Sequence, residues 1–187
     1  FYLPQSEYVI IGGSIPPVLT QDFNARLVKI AKEAHVPVLV DCQKQAMVEV
    51  VKARPDITKM NWDEFEWTFN FKAQTIDELT SLAKAFYQKH GLKNLVLTLS
   101  KEGILCVTEE GVYFTKAPFQ TPVNAAGAGD AVSSTLAWRF TQGDDWETAL
   151  RWAGAVSAAT VLTERTGDVH QEDVDRIFPL VTVEKWE

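Results

Sequence analysis

The run Asn124-Ala125-Ala126-Gly127-Ala128-Gly129-Asp130-Ala131-Val132 carries the most legible chemistry in this chain. A Gly-Ala-Gly turn follows a β-like stretch and leads into an apolar-periodic segment, Ala131 to Gln142. Small residues let the backbone turn tightly, so several N–H groups at the start of the new helix can face one point. Aligned N–H donors and the helix dipole bind anions there, phosphate above all. Asp130 puts a carboxylate beside that point. A carboxylate repels bound phosphate, so its presence calls for a chemical reason. The best one is that it takes the proton of an attacking hydroxyl while the N–H groups hold the phosphoryl charge. The competing account is a plain strand-to-helix turn in which Asp130 only complements the helix N-terminus. The motif by itself favours that plainer account, and the residues elsewhere have to decide.

The elements that must position these residues alternate between strand and helix. Tyr8–Gly12 reads as a buried strand feeding a loop through Ile15-Pro16-Pro17. A helix is predicted over Thr20–Ala34, with Thr20 as N-cap and Phe23, Leu27, Ile30 and Ala31 on one face. Val36–Cys42 is a continuous apolar run, the pattern of a parallel strand covered on both sides. Ala46–Ala53 reads as a helix, and Ile57–Met60 as a strand leading into Asn61 and the acidic-aromatic segment Trp62–Phe69. Thr75–His90 is an amphipathic helix with Ile76, Leu79, Leu82, Ala83 and Phe86 on one side. Leu95–Leu99 is a second buried strand. Ile104–Val107 and Val112–Thr115 flank Glu109-Glu110-Gly111 as a hairpin. Helices over Gly127–Gln142, Trp146–Thr163 and Glu172–Phe178 complete the chain. The alternation predicts an α/β fold with a mostly parallel sheet, helices on both faces and one hairpin, in a single domain over residues 1–187.

Composition narrows the classes of function. The chain has 187 residues, 46% of them hydrophobic and 23% charged, as in an ordinary globular domain. Its net charge of -7 argues against nucleic acid or an anionic membrane as partner. Cys42 and Cys106 sit in apolar strand-like runs and are read as buried, reduced thiols, which suits the cytoplasm. No apolar run is long enough to span a bilayer, and no signal peptide is recognisable. The chain opens on Phe1 rather than Met, and further residues are expected upstream.

Open α/β sheets bind ligands at the carboxyl ends of their strands. The residues there are Gly13-Ser14, Asp41, Asn61 with Glu64, Ser100–Gly103 and Gly127–Asp130. Asn61 and Glu64 can share one side of a helical turn and orient magnesium-bound waters beside a triphosphate. They can equally form an N-cap with its capping-box Glu, and the pair taken alone favours that.

Several segments, in order, resemble the PfkB (ribokinase-like) family of carbohydrate kinases. They are Gly12-Gly13-Ser14-Ile15-Pro16-Pro17, Val40-Asp41, Lys59-Met60-Asn61-Trp62-Asp63-Glu64, Thr98-Leu99-Ser100-Lys101-Glu102-Gly103, and Val123 to Asp130. Pro16-Pro17 and Lys116-Ala117-Pro118-Phe119 look more like the 1-phosphofructokinase and tagatose-6-phosphate kinase branch than like ribokinase. The resemblance implies a three-layer α/β/α fold whose N-terminal strands and small β lid lie outside this chain, making it the C-terminal portion of a family domain. It implies an ATP- and Mg²⁺-dependent kinase acting on a sugar or sugar phosphate, such as fructose 1-phosphate or tagatose 6-phosphate. A homodimer through the lid is the assembly it allows for. By the same resemblance, Asp130 matches the catalytic base, and Gly127, Ala128 and Gly129 match the anion hole. Asn61 and Glu64 match the pair that organises Mg²⁺, through water. Lys59, Thr98, Ser100 and Gly103 match nucleotide-contacting positions, and the Ala153–Ser157 stretch is expected near the adenine.

Three departures from the pattern stand out. Ser100 replaces a customary Gly, Met60 a Pro, and Ala125 a Thr or Ser. They leave the base and the anion hole in place. They also keep a second account open, a nucleotide-binding relative without catalysis that acts through interaction or regulation. A dinucleotide-binding Rossmann domain is disfavoured, because its glycine fingerprint should follow the first strand.

Overall fold

The computed structural model describes residues 2–186. Seven strands are hydrogen-bonded into one sheet whose spatial order is the chain order. They are β1 (Val9–Gly12), β2 (Val38–Asp41), β3 (Ile57–Asn61), β4 (Leu95–Thr98), β5 (Ile104–Thr108), β6 (Gly111–Lys116) and β7 (Thr182–Trp186). Helices α1 (Phe23–Glu33), α2 (Lys44–Ala53), α3 (Trp62–Phe69) and α4 (Ile76–His90) come before β4, and α5 (Ala128–Thr141), α6 (Trp146–Thr160) and α7 (Gln171–Ile177) after β6. The α/β alternation read from the sequence is what the chain forms. Its contacts divide it into two compact units, residues 2–97 with 106–111, and 98–105 with 112–186.

In the first unit, β1, β2 and β3 pair in parallel, and Gly12, Asp41 and Lys59 lie across from one another in register. The carboxyl ends of β1 and β2 therefore share a row with the middle of β3, which runs on to Asn61. Val38, Leu39 and Val40 are wholly buried, as the continuous apolar run requires. Phe65 of α3 packs among Phe69, Phe71 and Phe86, meeting Phe86 edge-on at 5.2 Å. Burying such rings stabilises the unit by about 1.5–3 kcal/mol each. The Asp56 side chain ties neighbouring strands at their amino ends, accepting from Val38 N–H at 2.9 Å and from Lys93 Nζ at 2.6 Å.

Helix α1 departs from its sequence reading. It begins at Phe23 with Asp22, not Thr20, at the cap position, and the Thr20 hydroxyl donates to Asp22 instead. The buried face is Asn24, Ala25, Val28 and Ala31, whereas Ile30 is half exposed. Of the row Phe23, Leu27, Ile30 and Ala31 read from the sequence, only Ala31 is buried, so the face is rotated by about one residue.

In the second unit, β6 and β7 pair antiparallel, with Trp186 stacked on Phe114 at 4.7 Å. Strand β7 has no counterpart in the sequence reading. Helix α6 ends at Thr160 rather than Thr163, and its Ala149, Ala153, Ala155 and Ala159 are fully buried. These small side chains let α5 and α6 pack along their lengths, and Ala155, Ala159, Val174, Ile177 and Val181 form a core beneath α7. Cys42 and Cys106 are free and buried, with burial pushing the Cys42 thiol up to about 12 and Cys106 well above the ordinary thiol value. Among the described residues no helix is long and apolar enough to cross a membrane.

Candidate active site

The Gly-rich turn is built by the loop that precedes it and by the loop that follows α6. The Asn124 side chain spans both, its Oδ1 accepting from Ala126 N–H at 2.9 Å and its Nδ2 donating to the Glu164 carbonyl at 3.1 Å. The backbone N–H groups of Val123 and Asn124 donate to the carbonyl of Val161. The buried Thr163 hydroxyl reaches the carbonyls of Thr160, Arg165 and Asp168 at 3.0–3.1 Å, which fixes the course of the second loop. Gly127 then adopts φ +88°, and a Cβ there would lie 2.6 Å from the Gly167 nitrogen. Both the left-handed conformation and the closeness of the two backbones demand glycine.

Gly127 is the N-cap of α5, and Ala128, Gly129 and Asp130 form its first turn. The N–H of Ala131 bonds back to the Gly127 carbonyl at 2.8 Å, and that of Ala128 reaches Ala125 at 3.4 Å. Of the three residues expected to form the anion hole, Ala128 N–H has this weak partner, whereas among the described residues the N–H of Gly127 and, within α5, those of Gly129 and Asp130 have no acceptor. Two donors at the positive end of a helix of this length are what an anion needs. The Asp130 side chain is exposed and carries no hydrogen bond or ion pair among the described residues.

The Thr98–Gly103 turn belongs to the same unit. It leaves β4 through a short 3₁₀ turn over Ser100–Glu102, closed by Leu99 N–H donating to the Gly103 carbonyl at 2.8 Å. Gly103 has φ +125°, and a Cβ there would sit 2.0 Å from the carbonyl oxygen of Thr115 on β6. Its identity thus has a packing cause, whatever ligand the turn meets. Ser100 is exposed and left-handed, φ +55°, in the place where the related pattern carries glycine. A side chain costs about 1–2 kcal/mol in that conformation, partly offset by the larger unfolded-state freedom of glycine, about 0.5–1 kcal/mol. Ser100→Gly should therefore raise the unfolding free energy by up to about 1 kcal/mol. A urea titration checks this, and a loss of stability would show that the serine side chain gives back more than its backbone costs.

Lys59, Asn61 and Glu64 belong to the other unit, where β3 runs into α3. The Asn61 Oδ1 accepts from Glu64 N–H, and Glu64 Oε2 accepts from Asn61 N–H, both at 2.8 Å. This is a complete capping box. It occupies one oxygen of each side chain and leaves Glu64 Oε1 available. A carboxylate can accept at both oxygens, so the pair fits a magnesium-bound water while it caps the helix. Among the described residues no three His, Cys, Asp or Glu gather as direct metal ligands. Lys59 is buried, 2% exposed, with its ammonium 2.5 Å from Asp41 Oδ2. Parallel register sets Asp41, at the end of β2, beside Lys59, in the middle of β3. The sequence reading placed Asp41 at a strand end without seeing that it is the partner of Lys59.

The stretch Ala153–Ser157 lies in the middle and last part of α6. Ser157 is half-buried there, and its hydroxyl donates to the Ala128 carbonyl at 3.1 Å. That contact to the first turn of α5 links residues far apart in the chain, and nothing in the local sequence marks it.

Comparison with known proteins bears on this arrangement. The chain is 26% identical over 181 residues to 1-phosphofructokinase of Bacillus subtilis, covering 97% of this chain and 59% of that protein. It is 25% identical over 183 residues to tagatose-6-phosphate kinase of Staphylococcus epidermidis, covering 96% and 58%. The chain thus spans less than two thirds of these relatives. The fold superimposes on the structure of phosphofructokinase-2 from Escherichia coli in complex with potassium with a TM-score of 0.85, at 21% identity, over 94% of this chain and 57% of that one. The family model of the pfkB carbohydrate kinases matches residues 2–173, nearly the whole length, and the chain belongs to that family.

Proposed function

We propose that this chain carries the nucleotide-binding and catalytic loops of an ATP-dependent kinase for a ketohexose phosphate. The observation that supports this most is the first turn of α5, where two unpaired N–H groups and an unpaired carboxylate stand together. Asp130 takes the proton from the acceptor hydroxyl, and Gly129 and Asp130 N–H hold the charge on the transferred phosphoryl group. The helix dipole adds to that field at no cost in reorganisation. Thr98, Ser100 and Gly103, in the same unit as that turn, border the nucleotide. In the other unit, Asn61 and Glu64 would orient the waters of a Mg²⁺ ion, which would supply charge neutralisation to a bound polyphosphate.

The names of the relatives direct the choice of acceptor toward fructose 1-phosphate and tagatose 6-phosphate. The expected result with the full-length protein is ADP release from Mg-ATP that depends on one of these two compounds. ATP binding by calorimetry without turnover on any ketohexose phosphate would overturn the reading. It would leave the second one, a nucleotide-binding relative without catalysis. The left-handed Ser100 favours that alternative, because it sets a side chain where glycine would leave room.

A further inference from the structure

The two unpaired N–H groups of the α5 turn share a property that their own sequence does not show. Each belongs to a peptide unit whose carbonyl end is held by a serine hydroxyl. The Gly129 N–H lies in the Ala128–Gly129 peptide, and the Ala128 carbonyl accepts from Ser157 Oγ at 3.1 Å. The Asp130 N–H lies in the Gly129–Asp130 peptide, and the Gly129 carbonyl accepts from Ser133 Oγ at 3.3 Å. A peptide unit is rigid and planar, with its C=O and N–H pointing in opposite directions. Fixing the oxygen therefore fixes the direction of the hydrogen. A donor on the carbonyl also polarises the amide and makes its N–H a stronger donor.

We propose that Ser157 is a positioning residue for phosphoryl transfer, with Ser133 as its lesser counterpart. This rests on the kinase reading above and names what aims its N–H groups. Ser133 bonds back within its own helix, a local pattern common for serine. Ser157 does more, because it reaches from α6, a separate and well-buried helix, to the opening turn of α5. In the helix the Ala128 carbonyl also takes the ladder bond from Val132 N–H, so Ser157 adds a second, tertiary restraint to a peptide whose N–H side has no partner. The Gly127–Gly167 approach fixes where the turn lies, and Ser157 tightens the direction of the first free N–H of α5 from a second helix.

The test compares Ser157→Ala and Ser157→Thr with the unmodified full-length protein. Ser157→Ala is expected to lower kcat about tenfold, as small misplacements at a reacting centre do. That is less than the roughly 10²–10³ that follows removal of a transition-state donor itself. The KM for ATP should change by less than about twofold, since the interaction matters most as charge develops. Ser157→Thr keeps the hydroxyl and should restore most of kcat. A merely structural role would instead lower the melting temperature of Ser157→Ala and leave kcat alone. That result, or a threonine variant no better than alanine, overturns the proposal. The amide signals of Gly129 and Asp130, titrated with inorganic phosphate, separate this from failure of the kinase reading. If the unmodified protein turns over no sugar phosphate, phosphate should still shift both signals, and shift that of Gly129 less in Ser157→Ala. Equal shifts in the two proteins, or none in either, would also overturn it.

Discussion

Asp130→Asn in the full-length protein should lower kcat by about 10²–10⁴, the usual contribution of a positioned general base. The exchange is nearly isosteric, and the side chain is exposed without a partner, so no buried group is stranded by it. The free N–H groups of Gly129 and Asp130 should persist, because they depend on the backbone. ATP affinity should hold or improve, since a negative charge is removed from beside the phosphoryl oxygens. Were Asp130 only a complement to the helix N-terminus, the variant would lose up to about 1 kcal/mol of stability and keep its turnover. Steady-state kinetics and a melting curve on one preparation decide between these outcomes.

Gly103→Ala should be the most damaging single-methyl change in the second unit. At φ +125° and ψ -145° the residue occupies a region that only glycine enters readily. The added Cβ would also fall 2.0 Å from a backbone oxygen of β6, which has no side-chain freedom to yield. Conformational cost and clash together should remove about 3 kcal/mol or more, the upper part of the range for point changes. Denaturant titration of the variant gives the figure. A loss under about 1 kcal/mol would mean that the 98–103 turn can move away from β6.

The same residue shows how far a sequence can be read. The resemblance marks Gly103 as a contact for nucleotide, and its spacing from Thr98 gives no hint of Thr115 pressing on it from a neighbouring strand. The Gly127–Asp130 turn was legible because its chemistry is local: glycine, glycine and carboxylate are adjacent, and the helix they open follows at once. Asn61 and Glu64 were legible as a pair, and the cap they form is complete, because a three-residue spacing closes on itself. Helix α1 misled because two rows of it share the same period. The buried row is Asn24, Ala25, Val28 and Ala31; it shares Ala31 with the row read from the sequence, and its Asn24 and Ala25 do not announce a core. Strand β7 escaped because Thr182-Val183-Glu184-Lys185-Trp186 is short and charged, and its order comes from pairing with β6 far upstream. The Lys59–Asp41 and Ser157–Ala128 contacts share that non-local origin.

The two buried thiols make this fold able to report on its own opening. A thiol reacts as its thiolate, and burial denies that form to both Cys42 and Cys106. An alkylating reagent in solution must therefore wait until the chain parts around them. When closing is fast, the labelling rate divided by that of an exposed thiol gives the free energy of the opening. Cys42 follows β2 directly and neighbours Asn24 of α1, so it gauges the cost of lifting that helix. Cys106 lies inside β5 and gauges the cost of parting the strand. Two unmodified side chains thus act as gauges of separate openings, with no probe added to the protein.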